Sequence, residues 1–155
     1  MVSPTMAVRP LESAVWAALE DVHDPEIPTV SVVDLGVVRR VEAEPGRVRV
    51  ELLPTFVGCP AIDLMRASVE ERLREFAEDV EVRVSLREPW TTDRITPRGR
   101  ERLRASGFAP PSESVECPFC GSSATALENA FGPTQCRSIR HCPDCRQPFE
   151  AFKAI

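Results

Sequence analysis

"RVRVELLPTFVGCPAIDLMRASVEERLREFAEDVEVRVSL", residues 47 to 86, changes its hydrophobic period twice. "RVRVELL" (47–53) alternates, with Val48, Val50 and Leu52 on one face and Arg47, Arg49 and Glu51 on the other. That period of two belongs to a half-buried strand. "PAIDLMRASVEERLREFAE" (60–78) switches to helical spacing. Ile62, Met65, Val69, Leu73 and Phe76 trace one stripe, and Glu70, Glu71, Arg72 and Arg74 turn away from it. "VEVRVSL" (80–86) alternates again, with Val80, Val82, Val84 and Leu86 expected inward. Strand, helix and strand in succession predict a crossover and a parallel pair.

The neighbouring segments extend this unit. "GVVRRVEA" (36–43) precedes "EPG", which predicts a hairpin into the strand at 47. "PLESAVWAALEDV" (10–22) reads as an amphipathic helix with Leu11, Val15, Ala18, Leu19 and Val22 on one face and Pro10 in its first turn. "HDPEIPT" ends it, because prolines at 25 and 28 cannot continue a helix. Downstream, "TPRGRERLRASG" (96–107) predicts a short helix capped by Thr96, opened by Pro97 and stopped by Gly107. "FAPPSESVE" is linker-like in composition. The expected architecture is an α+β, two-layer helix and sheet domain over 1–108. A linker over 109–116 and a separate module over 117–155 follow it.

Composition excludes several functions. The chain of 155 residues has a net charge of −5; residues 1–116 carry 15 basic and 21 acidic side chains, and 117–155 carry four and three. Neither part has the basic excess of a nucleic-acid binder. The arginine run at 98, 100, 102 and 104, with Arg74, reads as a solvated helix face rather than a binding patch. No stretch approaches the roughly 20 apolar residues of a membrane span. The N-terminus lacks a signal-like apolar core, so a cytoplasmic location is expected.

"CPFCG" and "CPDCR" place Cys117, Cys120, Cys142 and Cys145 in two Cys-x-x-Cys knuckles. A module this small needs a cross-link to offset chain entropy. Four thiolates around one tetrahedral ion supply it, the pattern of a zinc ribbon. Disulfides would require an oxidising compartment. Rubredoxin-type iron is chemically possible with the same donors, and zinc suits a closed structural site. Cys136 and His141 lie near the second knuckle, but four cysteines already complete the ion's coordination.

Cys59 stands apart. With Pro60 expected in the first helical turn, Cys59 is expected at the N-cap, where the helix dipole favours a thiolate. Such a thiolate can attack an electrophile or bind a soft metal; a buried, inert thiol fits the same position. A nucleophile would need a base, and His23 is the one histidine in the first 108 residues. "EDVH" (20–23) is a Glu-x-x-His motif, but a di-iron site needs a second copy and further glutamates. No Gly-x-Gly-x-x-Gly fingerprint or Walker loop is present.

Two sets of segments carry a family resemblance. "DPEIPTVSVVDLG" (24–36) with "TFVGCPA" (55–61) resembles the small α+β domain of SufT-like proteins and their iron–sulfur assembly relatives. The resemblance implies that Cys59, with Asp24, Glu26 and Asp34, handles iron or an iron–sulfur cluster. "PWTTDRIT", "CPFCG", "FGPTQCRS" and "CPDCRQPFEAFK" are similar to the D-subunit family of phenylacetyl-CoA epoxidase systems, over nearly the whole chain. Arg94 departs from that pattern at a position where an aromatic is expected. The resemblance implies an accessory role in phenylacetate degradation, not catalysis by this chain alone. It also implies structural zinc, transient iron or iron–sulfur cargo, and oxygenase and reductase subunits as partners. One thiolate supplies one ligand, so a homodimer is expected. Three other readings remain: a scaffold docking oxygenase to reductase, a nucleic-acid-binding ribbon, and a thiol enzyme pairing Cys59 with His23.

Overall fold

The structure, a computed structural model, describes residues 4–56 and 58–154, with side chains from Leu11 onward. The chain divides into two compact units, the first ending at Trp90 and the second starting at Thr91.

The first unit contains α1 (Pro4–Leu19), β1 (Val38–Glu44), β2 (Arg47–Leu52), α2 (Ala61–Leu73) and β3 (Asp79–Val84). The three strands form one sheet in the order β1-β2-β3. β1 and β2 are an antiparallel hairpin around Gly46, whose φ of 82° suits glycine. β2 and β3 are parallel, as the strand–helix–strand pattern predicts. One sheet face is apolar: Ala43, Val48, Val50, Leu52 and Val82 are buried there with Val15 and Leu19 of α1 and Met65, Val69 and Leu73 of α2. The other face is charged, with cross-strand rows Glu44–Arg47–Asp79, Glu42–Arg49–Glu81 and Arg40–Glu51–Arg83. Arg47–Asp79 at 3.0 Å and Arg49–Glu81 at 3.3 Å are exposed pairs, each worth at most about 1 kcal/mol. They match strand to strand; burial on the opposite face supplies the stability.

Four details differ from the periodicity. α1 begins before Pro10, so that proline lies inside the helix. α2 ends at Leu73, because the Arg74 N–H bonds Glu71 O and the Phe76 N–H bonds Leu73 O in a tightening turn. Phe76 is therefore half-buried beyond the helix, with the Arg72 guanidinium 5.8 Å from its ring. Leu86 is 68% exposed, because β3 stops at Val84 opposite Leu52, the last residue of β2. Within β3 itself Val82 is buried, and Val80 and Val84 are half-buried.

The second unit contains α3 (Pro97–Ala105), β4 (Phe108–Ala109), β5 (Ala126–Asn129), β6 (Arg137–His141) and β7 (Pro148–Phe152). Its sheet order is β4-β7-β6-β5. Thr96 Oγ1 accepts from the Gly99 N–H at 2.9 Å, and Gly107 takes φ 85° just past the helix. Both caps are where the sequence places them. The unit starts earlier than composition implies, because β4 pairs in parallel with β7 and so ties residues 108–109 to the ribbon sheet. Ala109, Cys117, Cys142, Phe149 and Ala151 form its small core. A core of this size needs the cross-link argued from the sequence.

Candidate metal centre and candidate thiol site

The two knuckles bring four sulfurs together. The Sγ atoms of Cys117, Cys120, Cys142 and Cys145 all lie within 4.8 Å of one another, with Cys117–Cys145 at 3.6 Å and Cys120–Cys142 at 3.5 Å. A tetrahedral ion with bonds of about 2.3 Å needs sulfur–sulfur edges of about 3.8 Å. The donor set fits such a metal.

Matched backbone turns build the site. The Cys117 N–H bonds Ser122 O at 2.8 Å, and the Cys142 N–H bonds Gln147 O at 3.0 Å. The residue after each second cysteine is left-handed: Gly121 at φ 78° and Arg146 at φ 62°. The Ser122 hydroxyl donates to the Asp144 carboxylate and joins the knuckles.

The thiols differ electrostatically before a cation arrives. The Cys145 backbone N–H pulls the Cys142 thiol down to about 7, despite burial. Burial pushes Cys145 up to about 12. Cys120 is lowered by the Ser122 N–H, but burial and the Cys142 thiol outweigh that and leave it above its ordinary value. A bound metal must displace the protons that remain. Cys136 and His141 are outside the four-sulfur group; Cys136 is buried, with its Sγ 3.1 Å from Thr134 Oγ1.

Cys59 belongs to the first unit. Gly58 precedes it at φ 80°, with nothing within 4 Å of the place a Cβ would occupy. The expected N-cap moves by one residue. Pro60 at φ −66° is the capping residue, without a side-chain cap, and Cys59 lies just before it. The Cys59 carbonyl accepts from the Ile62 N–H at 3.2 Å and so joins the first turn through its backbone. Its thiol is half-buried and makes no hydrogen bond among the described residues.

The acidic positions have structural work of their own. Asp24 is 8% exposed, and its Oδ1 accepts from the backbone of Glu26 at 2.7 Å and of Ile27 at 3.0 Å. This Asx turn shapes the proline-containing segment. Glu26 is exposed in the same turn. Asp34 is fully buried, and its N–H donates to Ser31 Oγ at 3.0 Å. The Asp24 N–H on Val30 O and the Val32 N–H on Val22 O fold both acids into one loop. His23 is exposed and faces a groove of about 500 Å³ lined with Asp21, Ser68, Glu71, Arg72 and Glu75. Cys59 is not among the described residues that line that groove.

Ser31 and Trp90 carry roles that periodicity does not reveal. Ser31 is fully buried and its Oγ accepts the Asp34 N–H, and the Trp90 indole donates to the carbonyl of Leu35. The tryptophan of "PWTT" is visible in the sequence only as part of the family resemblance.

Comparison with known proteins agrees with both halves. A model for iron–sulfur cluster assembly proteins matches residues 12–85, and a model for the PaaD zinc β-ribbon domain matches residues 106–153. An Escherichia coli protein named provisionally as a 1,2-phenylacetyl-CoA epoxidase component is 38% identical over 151 residues, 91% of this chain and 92% of that one. YitW of Bacillus subtilis, an Fe-S protein maturation auxiliary factor, is 34% identical over 89 residues, covering 56% of this chain and 86% of its own. Among solved structures, a Bacillus anthracis domain of unknown function, DUF59, superposes with a TM-score of 0.60 at 28% identity, over 64% of this chain and 96% of that one. A conserved hypothetical protein of Thermotoga maritima does so with a TM-score of 0.51 at 29% identity, over 59% and 92%. The chain belongs to the PaaD family, with an iron–sulfur-assembly-type domain ahead of a zinc ribbon.

Proposed function

We propose that this protein is the PaaD-type accessory component of a phenylacetyl-CoA epoxidase system and helps mature iron or iron–sulfur centres in its partner subunits through Cys59. The observation that carries this reading is the separation of thiols. Four cysteines are committed to one tetrahedral cluster, while Cys59 stands in the other unit after an open glycine with no hydrogen-bond partner among the described residues. The YitW likeness, with the iron–sulfur cluster assembly model over residues 12–85 that include Cys59, supports iron–sulfur maturation as its role. The E. coli likeness supports the pathway.

The ribbon's ion is structural zinc, which suits a closed four-sulfur site and performs no chemistry there. Asp24, whose carboxylate shapes its own turn, buried Asp34 and exposed Glu26 are the acids that act with Cys59 on the cargo. One thiolate cannot hold a cluster alone, so a second copy or a client protein supplies the remaining ligands. Oxygenase and reductase subunits are the clients, and a reducing cytoplasm keeps the free thiols competent.

The test is genetic and biochemical. Delete the gene, restore it as wild type or Cys59→Ser, and measure the iron–sulfur content of the purified partner reductase. Low content with Cys59→Ser and full content with wild type are expected. Full content in the deletion strain would reject a maturation role.

A scaffold reading rests on a different observation: Phe119, Leu127 and Phe131 of the ribbon unit are each more than half exposed. Under it, Leu127→Lys abolishes oxygenase co-purification, while Cys59→Ser leaves the reductase cluster intact.

A further inference from the structure

The arginine run of α3 has a use that neither the ribbon's metal nor Cys59 requires. Arg100 and Arg104 are four residues apart, so they share one helix face. Together they border a cavity of about 280 Å³ whose other walls include Pro110, Pro111, Ser112 and Ser114.

Arg100 is held in place. Its Nη1 donates to Pro111 O at 2.8 Å and its Nη2 to Thr92 O at 2.9 Å. Carbonyl oxygens orient a guanidinium without cancelling its charge. Three of its five N–H groups remain to donate. Arg104 is exposed and has no side-chain partner among the described residues. Two arginines stand against one acid, Glu116, in the lining, so the lining carries a net positive charge. Ser112 Oγ accepts from the Ser114 N–H at 3.2 Å, which leaves its hydroxyl proton, and that of Ser114, available to a ligand.

We propose that Arg100, Arg104, Ser112 and Ser114 form an anion site that takes a terminal phosphate group. A fixed guanidinium, a second movable one and two hydroxyls match the several oxygens of a tetrahedral anion better than a planar carboxylate. At about 280 Å³ the cavity has room for a phosphoryl group. The phosphate is either free or the end of a larger molecule lying outside. The site does not depend on the reading of Cys59.

The test is calorimetric titration of the full-length, zinc-loaded protein at low ionic strength with inorganic phosphate, coenzyme A, dephospho-coenzyme A and acetate. Phosphate binds, and Arg104→Gln, which breaks no side-chain hydrogen bond or ion pair among the described residues, weakens it about tenfold, the worth of one charge-assisted hydrogen bond. Coenzyme A binding more tightly than its dephospho form identifies a coenzyme's terminal phosphate as the source. Equal binding of the two identifies free phosphate. No heat with phosphate, unchanged affinity in Arg104→Gln, or acetate binding as well as phosphate overturns the proposal.

Discussion

The Trp90 indole Nε1 donates to the carbonyl oxygen of Leu35 at 2.8 Å, across 55 positions of sequence and in a fully buried setting. Leu35 follows Asp34, so this bond fixes the loop in which both buried acids sit. Trp90→Phe keeps most of the ring but leaves that carbonyl unsatisfied. The expected loss is about 1–3 kcal/mol, read as a lower urea midpoint at unchanged slope. An unchanged midpoint would mean that the indole bond does not hold the loop.

The knuckles predict opposite outcomes at matched positions. Arg146 takes φ 62°, a region that costs a side-chain-bearing residue about 1–2 kcal/mol, and Gly121 takes φ 78°. Arg146→Gly should raise the thermal midpoint of the zinc-loaded protein, and Gly121→Ala should lower it. Shifts of the same sign in both variants would contradict the matched-turn account.

Gly132 predicts a steric cost. A Cβ there would lie 3.2 Å from both the Arg137 Cβ and the Arg137 carbonyl oxygen. The Gly132 N–H also bonds that carbonyl at 2.8 Å, so the backbone cannot retreat freely. Gly132→Ala should destabilise by about 1–3 kcal/mol, as overpacking does. Calorimetry showing no change would place the loop elsewhere.

Metal binding should release protons, with a sign set by the thiols. Cys145 is raised to about 12 and Cys120 is also raised, so both are protonated at neutral pH in the metal-free fold and both protons must leave. Cys142 is lowered to about 7, so it is a thiolate above that pH and competes for a proton below it. Zinc affinity therefore falls as pH falls, and falls more steeply below about pH 7. A chelator competition series across pH measures the slope, and a pH-independent affinity would contradict the cluster.

Much of the molecule is legible from local chemistry, and the rest depends on distant partners. The change of period between residues 47 and 86 reveals a parallel pair with its crossover helix. Thr96 and Gly107 reveal the ends of α3, because capping depends on adjacent residues. The four cysteines reveal the ribbon through their spacing. Alternation through Leu86 cannot show where β3 loses its partner, since that depends on β2 ending at Leu52. The β4–β7 pairing joins residues more than 40 apart and is invisible in a stretch that reads as linker. At the thiol site, the glycine–cysteine–proline run puts Cys59 near a helix start, but Pro60 adopts helical angles itself and takes the cap.

In the proposed division of tasks, four sulfurs hold a permanent ion and Cys59 handles iron. Zinc and iron analysis of wild type and Cys59→Ala, after reconstitution with iron and sulfide, tests this most directly. The prediction is equal zinc in both proteins, with iron and sulfide bound by wild type and absent from the variant. Equal iron and sulfide in the two proteins would contradict it.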